Sequence, residues 1–119
     1  MDLNKIMAEI QANPDFSQAG MVLIHYGVVR SFDLEGRQVE SLYLEVHQDK
    51  ADRIRAEMLK KPGIVDIVVR FNPGHLKVGD FIMLAAVAGG TRPQVFPVLE
   101  ELVDRLKKEG VTKVQQFVS

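Results

Sequence analysis

Three stretches of the chain have apolar residues at the three- and four-residue spacing of an amphipathic helix. These stretches are residues 3–10, 51–58 and 95–106. The third contains Pro97, which would remove a backbone hydrogen bond and clash with the preceding turn. We therefore expect either a kink or a helix that begins near Pro97, with Gly110 as a C-cap. Thr91 is expected to be an N-cap whose hydroxyl accepts a backbone N–H.

Five further stretches have the composition or the alternation of β-strands. They are residues 20–29, 38–47, 64–71, 81–88 and 111–118. In residues 20–29 and 81–88, apolar residues occupy both the odd and the even positions, so we expect both faces of these strands to be covered. Residues 38–47 alternate, with Leu42 and Leu44 on one side and Tyr43 on the other.

The order of these elements predicts an α+β fold. After the first helix and the first strand, the remaining elements follow the βαββαβ order of ferredoxin-like folds. In residues 64–71 the apolar positions 65, 67, 69 and 71 fall on one side. Pro73–Gly74 suits the centre of a type II turn that returns the chain to residues 81–88. We predict one domain over residues 1–119, a mostly antiparallel sheet with an extra N-terminal strand and helices on one face.

Composition excludes several classes of function. The 119 residues contain no Cys, which excludes disulfides, thiolate metal sites and Cys nucleophiles. The net charge of −1 provides no basic excess for nucleic-acid binding. No apolar run approaches the ~20 residues of a membrane span, and the acidic N-terminus is unlike a signal peptide. We expect a cytoplasmic protein that binds neither nucleic acid nor membrane.

Few residues of the chain are candidates for chemistry. The three histidines are far apart, without metal-ligand spacing, and are expected to be strand or turn residues. Basic residues at the ends of predicted elements are more interesting, because Arg and Lys bind phosphates and carboxylates. These are Arg30, Arg92, Lys107 and Lys113. From residue type alone, they could equally be solvated charges at element ends.

An ordered set of short motifs resembles the large, catalytic subunit of molybdopterin synthase. The set begins with "YGVVRSFDLEGRQVESLYLEVHQDKAD", continues with "PGHLKVGDFIMLAAVAGGTRPQVF" and ends with "LVDRLKKEG". It extends over residues 20–110. The resemblance implies an α/β hammerhead-type fold and a homodimer of this chain. It also implies a small ubiquitin-like sulfur-carrier subunit, whose C-terminal Gly-Gly thiocarboxylate enters a pocket of the large subunit.

The implied reaction is sulfur transfer to cyclic pyranopterin monophosphate in molybdenum cofactor biosynthesis, with no metal or cofactor in the enzyme. On this resemblance, Arg30, Thr91 and Arg92 would bind the pterin phosphate substrate. Lys107 and Lys113 would be catalytic, by stabilising charge that develops at the thiocarboxylate carbonyl or by acid–base action.

The chain also departs from the family pattern. Thr91 stands where a histidine is usual, and Phe71 and Asn72 replace a second His-Arg pair. Direct counting puts Val114, not Lys113, at the second family lysine. The chain ends at Ser119, short of the usual C-terminal segment. Two alternatives therefore remain: a divergent non-catalytic relative that binds an anionic ligand or a ubiquitin-like tail, and an unrelated ferredoxin-like domain that binds a metabolite.

Overall fold

The computed structural model describes all residues from 1 to 119. Three helices and six strands form, and their bounds follow in chain order. They are α1 (Leu3–Gln11), β1 (Met21–Val28), β2 (Val39–Val46), α2 (Gln48–Leu59), β3 (Ile64–Phe71), β4 (Gly74–Lys77), β5 (Phe81–Gly89), α3 (Arg92–Arg105) and β6 (Val111–Phe117). No helix has both the length and the apolar character needed to cross a bilayer.

The first sheet has the strand order β1-β5-β3, and both of its strand pairs are antiparallel. Its central strand β5 is buried on both faces, as its unbroken apolar sequence predicts. Met83, Ala85 and Val87 pack with the α2 and α3 side chains, whereas Leu84 packs with Ile10 of α1 on the opposite face. The helices therefore cover both faces of this sheet, and the expectation of helices on one face is wrong.

The second sheet has the order β4-β2-β6, again antiparallel throughout. The predicted α+β, mostly antiparallel fold is confirmed, but the sequence did not reveal that the strands divide between two sheets. It also did not reveal β4, which extends from Gly74 to pair with β2 before the chain returns to β5. Phe71 and Ile82 pack against the cores of both sheets and join them.

The start of α3 differs in two ways from the sequence prediction. The helix begins at Arg92 and continues through Pro97, so a start near Pro97 is wrong. Thr91 is the N-cap residue, but its hydroxyl makes no cap hydrogen bond and instead donates to Oε1 of Gln94 at 3.0 Å. Gly110 is not a left-handed C-cap, since its φ is not positive, and it ends a π-helical turn over Leu106–Gly110.

A register shift between Ile64 and Asp66 changes which side chains of β3 lie on each face of the sheet. Ile67 and Val69 face α2 and α3 as expected, but Val65 packs on the α1 side. The prediction of one continuous apolar side was therefore wrong, because a bulge breaks the period of two. Gly74 has the positive φ of 101° that its predicted turn requires.

The glycine pair before α3 allows three segments of backbone to approach closely. The N–H of Gly90 donates to the carbonyl of Gly63 at 2.9 Å, and the carbonyl of Gly89 accepts from Gly20 at 2.8 Å. A β-carbon at Gly89 would lie 2.8 Å from the Gly63 carbonyl oxygen and 2.6 Å from Cγ2 of Val95. The absence of side chains at these glycines thus allows the backbone segments to pack against one another, and we call this contact the glycine junction.

Candidate functional site

An open cavity of about 350 Å³ lies where the two sheets meet. The first sheet contributes the end of β1 and the start of β5, and the second contributes residues of β2 and β6. The lining is half apolar, from residues such as Val28, Leu44 and Ile82. Its cationic residues are Arg30, Lys107 and Lys113, which are distant in the sequence. The structure therefore brings together three of the five residues predicted to form a site.

Arg30 is positioned by an irregularity at the end of β1. The register between β1 and β5 shifts between Gly27 and Val28, which leaves Ile82 unpaired in the ladder. The chain then runs past the β4–β5 turn, where the N–H of Val29 donates to the Asp80 carbonyl at 2.9 Å and its carbonyl accepts from Gly79. Bulges of this kind redirect side chains next to functional sites, and here Arg30 reaches the cavity.

Lys107 and Lys113 come from the two ends of the turn that links α3 to β6. Lys107 lies in the π-helical turn after α3. Lys113 pairs with Leu44 across β2 and β6, so both side chains lie on the same face of the sheet, the face that lines the cavity. Val114 pairs with Tyr43 and lies on the exposed face. Direct counting gave Val114, whereas the residue that faces the cavity is Lys113.

The cavity concentrates positive charge. Burial lowers the pKa of the Lys113 ammonium, and the nearby charges of Lys107 and Arg30 lower it further. Like charges disfavour each other's ionised form, so their proximity costs the folded protein free energy. An anionic guest would offset that repulsion while forming charge-assisted hydrogen bonds. The arrangement therefore favours binding of an anion with an apolar part.

His25 also lines this cavity, although it was expected to be only a strand residue without a chemical role. Burial lowers the pKa of its imidazole, and the charge of Lys107 adds to the effect. A β-carbon at Gly27 would lie 3.2 Å from Nε2 of His25. The one available signal was the period of two in a strand, which puts His25 and Gly27 on the same face of β1.

Thr91 and Arg92 do not line the cavity. They lie at the N-terminus of α3 in a separate, shallow depression that also includes Gly20, Gly90 and Phe96. Within one chain, the structure therefore does not bring Arg92 together with Arg30 and Lys107. No three histidine, aspartate or glutamate side chains come close enough together to hold a metal ion.

The family model described as MoaE protein matches residues 1–109. A relative named molybdopterin synthase catalytic subunit, from Pyrococcus abyssi, is 35% identical over 96 residues, which are 77% of this chain and 64% of that protein. A protein of the same name from Ralstonia nicotianae is 30% identical over 92% of this chain and 62% of its own length. The chain thus spans less than two thirds of the length of both relatives.

The fold also has a close match among solved structures. The molybdopterin biosynthesis MoaE protein from Burkholderia ambifaria is 27% identical, with a TM-score of 0.77 over 99% of this chain and 82% of the other. The structural match therefore extends over nearly the whole chain. Because the family model matches all but the last ten residues, this chain belongs to the MoaE protein family.

Proposed function

We propose that this chain is the sulfur-transferring large subunit of a molybdopterin synthase. Its substrate would be cyclic pyranopterin monophosphate, and the reaction would be a step in molybdenum cofactor biosynthesis. The observation that supports this proposal most directly is the convergence of Arg30, Lys107 and Lys113 on one cavity. Two relatives named molybdopterin synthase catalytic subunit point the same way.

The cavity suits both parts of such a substrate. The guanidinium of Arg30 can bind a cyclic phosphate through two parallel N–H donors. The apolar wall of Val28, Leu44 and Ile82 offers a surface for a flat heterocycle. A volume of about 350 Å³ is within the range of small-molecule sites.

The two lysines suit the sulfur donor. In the proposed reaction, a small ubiquitin-like partner inserts a C-terminal Gly-Gly thiocarboxylate through the open side of the cavity. Ammonium groups of Lys107 and Lys113 would then stabilise negative charge that develops on the acyl oxygen and on the sulfur. The sulfur arrives on the partner, so the large subunit needs neither a cysteine nor a cofactor. The proposal places the reaction in the cytoplasm.

Thr91 and Arg92 can take part in the same reaction only if they act from another copy of the chain. Their depression is separate from the cavity that holds Arg30. We therefore propose a homodimer in which Arg92 of one protomer contributes to the substrate site of its partner. A two-fold dimer would contain two equivalent composite sites.

The test is conversion of the pterin precursor by the purified chain with a thiocarboxylated small subunit. We expect conversion by the unmutated chain, and a loss of about 100-fold or more in Lys107→Ala. Lys108→Ala is the matched control, because Lys108 lies next in sequence but lines a different surface groove. A folded complex without conversion would leave the non-catalytic relative as the remaining function.

A further inference from the structure

We propose that His25 is the proton acceptor of the cavity, a residue that contacts the guest and takes a proton from water during the transfer. This inference depends on the proposed function for its reaction, but the placement of His25 is independent of it. His25 and the three cations line one cavity, yet they differ in what they can do chemically.

The first argument concerns hydrogen-bonding capacity. A guanidinium and an ammonium are donors only, whereas a neutral imidazole has one nitrogen that accepts. Neither ring nitrogen of His25 bonds to another protein group, while the other histidine in a groove, His47, bonds to Thr112 at 2.8 Å. The His25 ring is therefore free to contact a guest.

The second argument concerns placement. Gly27 lies two residues along the same strand face, and any β-carbon there would press on Nε2 of His25 at 3.2 Å. The ring thus lies against bare backbone at the cavity wall. Its charged neighbours in the cavity are Arg30, Lys107 and Lys113. From α3, Glu100 and Asp104 line an adjoining depression that also includes His25.

The third argument is the protonation state. Burial and the charge of Lys107 both lower the pKa of His25 from its usual 6.5. The imidazole is therefore mostly neutral at neutral pH and can act as a base. Among the cavity's polar side chains, it is the one that has a nitrogen lone pair free to accept a hydrogen bond.

The step can be written with all atoms accounted for. Once the sulfur has bonded to the pterin precursor, the partner remains attached through its acyl–sulfur bond. The oxygen of a water molecule adds to the acyl carbon, and one of the water protons goes to Nε2 of His25. The carbon–sulfur bond then breaks with its electron pair on sulfur, next to the lysine ammonium groups. The partner leaves as a carboxylic acid, which loses its proton to solvent.

The activity test compares His25→Gln with His75→Gln. His75 lies on the outer side of the second sheet against Tyr43, away from the cavity. We expect His25→Gln to lower the rate on the order of 100-fold and to remove the acid limb of the pH–rate profile. We expect His75→Gln to keep the rate and the acid limb of the unmutated chain. An unchanged rate and acid limb in His25→Gln would overturn the proposal.

A second measurement needs no turnover. Titration of the His25 ring by NMR in the unmutated chain should give a midpoint below 6.5, and inorganic phosphate should raise it by offsetting the lysine charges. A midpoint at or above 6.5, or one that phosphate does not move, would overturn the placement of His25 in an anion cavity. If the unmutated chain shows the phosphate response but no conversion, the proposed function fails and the assignment of His25 to the cavity stands.

Discussion

Lys113 of β6 lies directly opposite Leu44 of β2, and this pairing turns its side chain toward the cavity. The next residue, Val114, lies opposite Tyr43 on the outer face, where it is 54% exposed. Successive residues of a strand point to opposite faces. A shift of one residue would therefore put an apolar group in the cavity and the ammonium on the outer face of the sheet.

This register predicts opposite results for two neighbouring substitutions. Lys113→Ala should lower the rate of sulfur transfer by about 100-fold, because it removes a charge from the site of developing negative charge. Val114→Ala should leave the rate unchanged. Steady-state rates of both variants with the thiocarboxylated partner would test the register. Equal rates for the two variants would contradict it.

Anion binding should stabilise the fold. Phosphate at roughly five times its dissociation constant should raise the free energy of unfolding by about 1 kcal/mol, since a ligand that binds only the native state adds that amount by mass action. Urea denaturation in phosphate and in chloride of equal ionic strength would measure the difference. Lys107→Ala should abolish the difference, whereas Lys108→Ala should preserve it.

The lowered pKa of His25 predicts how stability depends on pH. Below 6.5 the unfolded chain takes up a proton at His25 more readily than the folded chain does. The contribution of His25 to stability is therefore present above pH 6.5 and is lost as the pH falls through the lowered native pKa. The free energy of unfolding should fall less steeply over this range in His25→Gln than in the unmutated chain. Parallel pH profiles of the two proteins would contradict the assignment.

The glycine junction predicts unequal effects at adjacent positions. Gly89→Ala forces a β-carbon against the Gly63 carbonyl and Val95, and should cost about 1–3 kcal/mol. At Gly90 the nearest atom to an added β-carbon is Oε1 of Gln94 at 3.1 Å, the end of a flexible side chain. Gly90→Ala should therefore cost less. Denaturant midpoints would show the order, and a reversed order would refute the junction.

The proposed composite site predicts complementation between inactive variants. Arg92→Ala and Lys107→Ala should each be inactive alone. Random reassortment of the two chains should restore about a quarter of the unmutated activity, because half of the dimers are mixed and each has one intact site. Activity of the mixture after subunit exchange is the measurement. Absence of any restoration, with exchange verified, would place Arg92 and Lys107 in the same protomer's site.

Local patterns determined the helices and most of the strands. Ile6 and Ile10 of α1, and Leu42 and Leu44 of β2, are buried as their spacing predicts. The periods of 3.6 and 2 arise from backbone geometry within a few residues, so they can be read without knowledge of the fold. The four-residue strand β4 was not predicted, because the strand with which it pairs, β2, lies about thirty residues away in the sequence.

The candidate site could be predicted only in part. Motif order pointed to Arg30 and Lys107, whereas Lys113 was predicted although direct counting gave its neighbour Val114. The structure brings Arg30, Lys107 and Lys113 together. His25 was missed because the pKa of its imidazole is lowered by burial in the folded chain and by the charge of Lys107, a residue of a distant turn. Neither cause can be seen from the residues next to His25 in the sequence.

The sequence by itself thus determined the α+β class, the main elements and the cationic side chains available at their ends. The tertiary structure decided that there are two sheets, that Lys113 faces inward and that Arg92 lies outside the cavity. The reason is physical: side-chain direction in a strand depends on register against a distant partner, and bulges such as those at Gly27 and Ile64 reset it.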